Sequence, residues 1–214
     1  MHVLSPDRTV YEMHQYFTLL QSALDKCPGT KAFGEPVSKV LDGLAKNQSK
    51  MRELEDRQVI MRARVTVCIF YLRKAVISLG KEIRKAELAI KEVKFYQDFL
   101  PTPVPSSQIP MSQQLQAFIS IAEFAVKQFG KVPDHVKCDP VRAQKEPLQV
   151  IIKKSRELFK EYQSFAKEMD QLQSQFKTIR GQAQEVVKTL QKDLLAHFEY
   201  NTSDVAQYFL TLTF

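Results

Sequence analysis

The chain has 214 residues, a length for one large domain or one elongated unit. Its 44% hydrophobic and 26% charged residues exclude wholesale disorder, and 6 glycines are too few for the many turns of an all-β fold. The formal net charge of +7 favours an anionic partner, be it an acidic protein, a membrane surface or nucleic acid, without choosing among them.

From the N-terminus, Ser5-Pro6-Asp7 has the pattern of an N-cap, an N1 proline and a first-turn acid. It predicts a short helix over about 6–25 with Val10, Met13, Phe17, Leu20 and Leu24 on one face, closed by Cys27-Pro28-Gly29-Thr30. The prolines then dictate the rest. They fall at 6, 28, 36, 101, 103, 105, 110, 133, 140 and 147, and a proline inside a helix costs ~3 kcal/mol. The two long proline-free stretches predict very long helices over about 37–100 and 148–200. A helix running the length of the first would span ~95 Å. Between them, 101–111 is a stiff Pro-rich connector, either a simple chain reversal or a ligand for a proline-binding module. Ser112 is the expected cap of a second short helix, about 112–130, and 131–147 reads as an irregular loop. The fold class is therefore all-α, an elongated antiparallel helical bundle or coiled coil in one domain, 1–214.

The second long helix carries a heptad seam: Leu148, Ser155, Tyr162, Met169, Phe176, Ala183 and Leu190, interleaved with Ile151, Leu158, Phe165, Leu172, Ile179 and Val186. Its aromatic rings suit a bundle better than a tight two-stranded zipper. Gly181 interrupts it, as a hinge, a close crossing or a tolerated glycine. The first long helix repeats at Val37, Leu44, Met51, Gln58, Val65, Leu72 and Leu79, joined by Val40, Leu54 and Met61. The stripe then drifts onto Ile69, Val76, Ile83 and Ile90, as a straight helix with 3.6 residues per turn should.

The first long helix also holds most of the net positive charge. Between Arg57 and Lys81 there are six basic residues and no acid. At 100° per residue, Arg62, Arg73 and Arg84 form one row and Lys74, Lys81 and Lys85 another, with Phe70 and Ile77 between them and turned away from the main apolar stripe. A basic face studded with apolar side chains suits an acidic partner helix or an anionic membrane surface. Equally, Phe70 and Ile77 can pack a further helix of the same bundle with the cations solvated around them.

Motifs of chemistry are missing from the sequence. There is no Gly-rich phosphate loop, no H-E-x-x-H and no G-x-S-x-G. His135 and Cys138 supply two of the four ligands a structural zinc site needs, and no Glu stands three residues before a histidine at 14, 135 or 197, as a di-iron bundle requires. Catalytic, cofactor and metal residues are accordingly expected to be none, and the chain is not expected to be an enzyme or to take a small-molecule substrate. Three scattered cysteines, and no charged-then-apolar leader, point to a reducing compartment, with two chance N-x-S sequons. No stretch is apolar enough to span a membrane.

The functional expectation is a scaffold or adaptor subunit working through a protein partner or a homodimer, cytoplasmic or peripheral on a membrane. As an alternative, length, basic bias and long helices resemble in architecture the crescent-shaped membrane-binding dimers of the BAR type. No motif carries that resemblance, and the 131–147 loop splits what would be a continuous middle helix. Nucleic acid ranks below both, because most aromatics sit on seam positions instead of among the cations. The apolar ending Tyr208-Phe-Leu-Thr-Leu-Thr-Phe214 also suits a piece of a larger assembly that buries it.

Overall fold

The computed structural model describes residues 8–91, 94–100 and 108–210. They form seven α-helices: α1 (Val10–Lys26), α2 (Gly34–Ile90), α3 (Tyr96–Phe99), α4 (Met111–Gln128), α5 (Asp139–Arg142), α6 (Lys145–His197) and α7 (Thr202–Leu210). The two very long helices expected from proline placement are α2 and α6, packed antiparallel. Both start slightly earlier than proline spacing suggested, because Pro36 and Pro147 fall in first turns, where a missing N–H costs nothing. No described helix is long and apolar enough to cross a membrane.

Contacts divide the chain into two compact units, residues 1–56 with 167–214 and residues 57–166. In the first, α1 begins at Val10 and not at Pro6. Thr9 is the cap: its hydroxyl accepts the Glu12 N–H at 3.3 Å while the Glu12 carboxylate accepts the Thr9 N–H at 2.7 Å. Those bonds hold the Glu12 carboxyl below its ordinary range. The Ser5-Pro6-Asp7 motif lies outside the described residues. All five expected face residues of α1 are buried, together with Tyr16, whose hydroxyl is pushed up to about 12 by burial. They pack with Val37, Val40 and Leu44 of α2, Ala183, Val187, Leu190 and Leu194 of α6, and Val205, Tyr208 and Phe209 of α7. The turn into α7 uses left-handed Glu199 and Tyr200, with the Asn201 side chain accepting the Ser203 N–H at 3.1 Å. Buried Thr30 donates its hydroxyl to the Leu24 carbonyl at 3.0 Å and touches the Tyr208 hydroxyl at 3.4 Å, fastening the α1–α2 loop to α7. Antiparallel pairing of α2 and α6 is seen in the Asn47 amide, which donates to the Leu172 carbonyl at 3.4 Å, and in Gly43 against Ile179.

In the second unit, α2 and α6 pair again through Arg64 and Glu161 at 2.7 Å, the Arg57 guanidinium over the Phe165 ring, and the Cys68 thiol on the Ser155 hydroxyl at 3.0 Å. Ser155, the polar member of the seam, is thereby satisfied: it also donates to the Ile151 carbonyl at 2.7 Å. Leu115, Phe118, Ile119, Ala122 and Ala125 of α4 complete a core with Leu72, Val76, Leu79 and Ile83 of α2. Ser112 is not the cap of α4. The helix starts at Met111 after Pro110, and the Gln114 side chain donates to the Ile109 carbonyl at 2.7 Å instead. Within 131–147 the chain makes a 3-10 turn at Val136–Cys138 and the short α5. The Arg142 guanidinium braces it, donating to the Pro133 carbonyl at 2.6 Å and to Asp139 at 2.7 Å. The bulk of the Pro-rich connector, residues 101–107, and the last four residues of the apolar ending lie outside the described residues.

The end of α2 departs most from expectation. The helix stops at Ile90, not near residue 100, and Lys91 takes a left-handed φ of 61°. The chain then folds back so that Phe95 and Phe99 enter the core, edge-on to each other, with Phe99 edge-on to Phe129 as well. The Glu87 carboxylate holds the reversal by accepting the backbone N–H of Phe95 at 2.5 Å and of Tyr96 at 2.6 Å. Gly80 makes the room: a Cβ there would meet Leu100 at 3.1 Å and Tyr96 at 3.3 Å.

Candidate interaction surface

Within the second unit, α2 is apolar on two opposite sides. Its inner side presents Val65, Leu72, Val76, Leu79 and Ile83, all buried. On the outer side, Val59, Val67, Phe70, Ile77 and Leu88 share an arc of roughly 80° at 3.6 residues per turn. Ile60 and Tyr71 flank it. All seven are exposed, Phe70 at 60%, Ile77 at 40% and Leu88 at 78%. The Phe70 and Tyr71 rings meet edge-on at 5.7 Å and are covered by no other described ring. The sequence singles out Phe70 and Ile77 on this side; Val59, Ile60, Val67, Tyr71 and Leu88 are additions the structure makes. The same helical wheel that places Phe70 also places Val59, Val67 and Leu88, so the signal is present but is masked by the drift of the inner stripe.

The predicted cations divide into two groups. Arg84 lies over the Tyr96 ring at 4.4 Å, and Lys85 makes an i,i+3 surface pair with Glu82 at 2.7 Å, so both have partners within the unit. Arg62, Arg73, Lys74 and Lys81 are exposed, and their side chains have no ion pair, hydrogen bond or ring contact among the described residues. They stand around the apolar arc, and a shallow depression lies there, lined by Phe70, Arg73, Lys74, Ile77, Ser78 and Lys81. Between Arg57 and Lys81, α2 itself carries no acid, and Glu161 of α6 offsets Arg64. Apolar side chains in reach of uncompensated cations can bind a ligand that is itself both apolar and anionic.

Of the seam residues on α6, Leu148, Leu158, Phe165, Leu172 and Leu190 are buried. Ile151, Tyr162, Met169, Phe176, Ile179 and Val186 are half-buried. Deeper positions fall to their neighbours Ile152 and Val187, and to Leu194, because a straight helix rotates its buried stripe away from a strict seven-residue repeat. A second concavity in the same unit runs between α4 and α6, where Glu123 and Arg156 pair and Lys127, Lys153 and Lys160 line the walls. Burial pushes the Cys138 thiol up. The nearby His135 ring accepts the Lys137 N–H at 3.0 Å, as a turn cap. Among the described residues no three His, Cys, Asp or Glu side chains are grouped to hold a metal ion. No family model, curated protein or solved structure matches the chain.

Proposed function

We propose that this protein is a non-enzymatic helical scaffold or adaptor subunit that works through protein contacts made by the outer face of α2. The observation that carries the proposal is the row of exposed apolar side chains from Val59 to Leu88, set back to back with the buried stripe of the same helix. Single exposed apolar residues are ordinary, whereas seven on the outer side of one helix, interrupted by Lys74 and Lys81, suit a surface that another molecule covers. Arg62, Arg73, Lys74 and Lys81, whose side chains have no partner among the described residues, add electrostatic steering to that surface. The same cations motivate the membrane-surface alternative, in which a basic helical face rests on anionic lipid.

A photoreactive phenylalanine analogue at position 70 or 77, expressed in the cells that normally make the protein, tests the proposal. It is expected to give a discrete protein adduct on illumination. A control at exposed Thr189 on α6 is expected to give none. Equal, diffuse or absent labelling from positions 70 and 77 would count against a docking role.

A further inference from the structure

We infer that the occupant of the α2 face is an acidic amphipathic helix of a partner protein, an inference that rests on the docking role proposed above. Its ground is the interleaving of charge and apolar surface. Lys74 stands in sequence between Phe70 and Ile77, and Lys81 between Ile77 and Leu88, on the same arc of the helix. Arg73 borders the depression that Phe70 and Ile77 line.

An occupant must therefore bring apolar atoms and negative charge in alternation, at a spacing of about one helical turn. A helix with apolar residues at i, i+3 or i+4, and i+7, and with Asp or Glu at the positions between, supplies that pattern. One apolar side chain enters the depression, and its neighbouring carboxylates reach Arg73, Lys74 and Lys81. A second copy of this chain brings the same cations to the same place and is repelled. A lipid surface is the competing occupant, since Lys74 and Lys81 can reach headgroups while Phe70 and Ile77 sink, and the vesicle arm of the test separates the two. Nucleic acid fits less well, because only Phe70 and Tyr71 offer it stacking rings while Val59, Val67, Ile77 and Leu88 offer neither ring nor charge.

The test pans a display library of randomised amphipathic helical peptides on the full-length chain. Affinities of the enriched peptides are then measured against the wild type, Phe70→Ser/Ile77→Ser and Arg73→Glu/Lys74→Glu/Lys81→Glu. All five positions are exposed, and circular dichroism verifies that each variant keeps its helical content. The inference expects enriched peptides to carry Asp or Glu between their apolar residues and to lose about ten-fold or more in affinity for either variant, with the loss in the charge variant shrinking at high salt. Enrichment of neutral or basic peptides, or equal binding to all three proteins, would overturn it. Sedimentation with phosphatidylserine vesicles that the charge variant abolishes, alongside a library that enriches nothing, would overturn it in favour of lipid. If the inference fails while a photoreactive group at position 70 still captures a protein, the docking role stands and only the acidic character of the partner falls.

Discussion

Replacing Glu87 tests how α2 ends. Its carboxylate accepts two backbone N–H groups, those of Phe95 and Tyr96, in a part-buried setting. Hydrogen bonds to a charged acceptor contribute about 1.5–3 kcal/mol each, and donors left buried without a partner add a desolvation cost. Two bonds sharing one carboxylate are not additive, so Glu87→Ala is expected to cost roughly 2–4 kcal/mol. Glu87→Gln keeps an acceptor but loses the charge, and should cost about half as much. For a chain of this size 1 kcal/mol moves the melting temperature by roughly 2–4 °C, so the Ala variant should melt well below the wild type. Denaturant unfolding gives the free energies. Hydrogen exchange locates the effect, with the amides from Phe95 to Leu100 exchanging faster while those of α1 are unaffected. Equal stability of Glu87→Ala and wild type, with unchanged exchange at Phe95, would refute the assignment of the reversal to this carboxylate.

Gly181 lies inside α6 with ordinary helical backbone, and a Cβ there would meet nothing within 4 Å. Gly181→Ala should therefore stabilise the protein by about 0.5–1 kcal/mol, read by denaturant unfolding, whereas a hinge or a close crossing would make alanine neutral or harmful. Asn47 is buried with its Oδ1 lacking a hydrogen-bond partner among the described residues, so Asn47→Leu should raise the melting midpoint, by about 1–2 kcal/mol in free energy. A drop on that substitution would place the amide in a network that the α2–α6 pairing depends on. Tyr16 bears on alkaline stability. Its folded value is raised from 10.0 to about 12, so its contribution is whole below pH 10 and is lost as pH rises through 12. At 1.36 kcal/mol per unit this is roughly 2–3 kcal/mol. Tyr16→Phe should remove that part of the alkaline decline in unfolding free energy, and a variant that declines in parallel with the wild type would contradict it.

Much of the architecture was legible because proline is a severe and local constraint. Pro36 and Pro147 mark where both long helices begin, and the face residues of α1 followed from spacing alone. The errors lie where tertiary structure decides. Nothing between Ile90 and Phe95 is a glycine or a proline, so the stop after Ile90 carries no local signal. It depends on Glu87 meeting two distant N–H groups and on Gly80 leaving space, neither of which a single-residue propensity records. The caps failed differently. Ser5 and Ser112 have the right chemistry, but Thr9-Val-Tyr-Glu12 completes a reciprocal box and α4 starts after Pro110 without a side-chain cap. For the interaction surface, the sequence could place Phe70 and Ile77 off the main stripe yet could not decide whether another helix covers them. That is a question of packing, and the structure leaves both exposed.

The unfolding free energy of the Val67→Ser/Phe70→Ser/Ile77→Ser variant tests most directly whether the outer face of α2 is a bare surface held for a partner. Serine matches valine, phenylalanine and isoleucine closely in helix propensity, so the change in stability reports burial alone. A solvent-facing site should give a change of about 0.5 kcal/mol or less per position, with the melting temperature of the isolated protein nearly unchanged. A loss of several kcal/mol, on the scale of about 3–5 kcal/mol for truncating one buried phenylalanine, would mean that these residues belong to the folded core and that no docking face exists there.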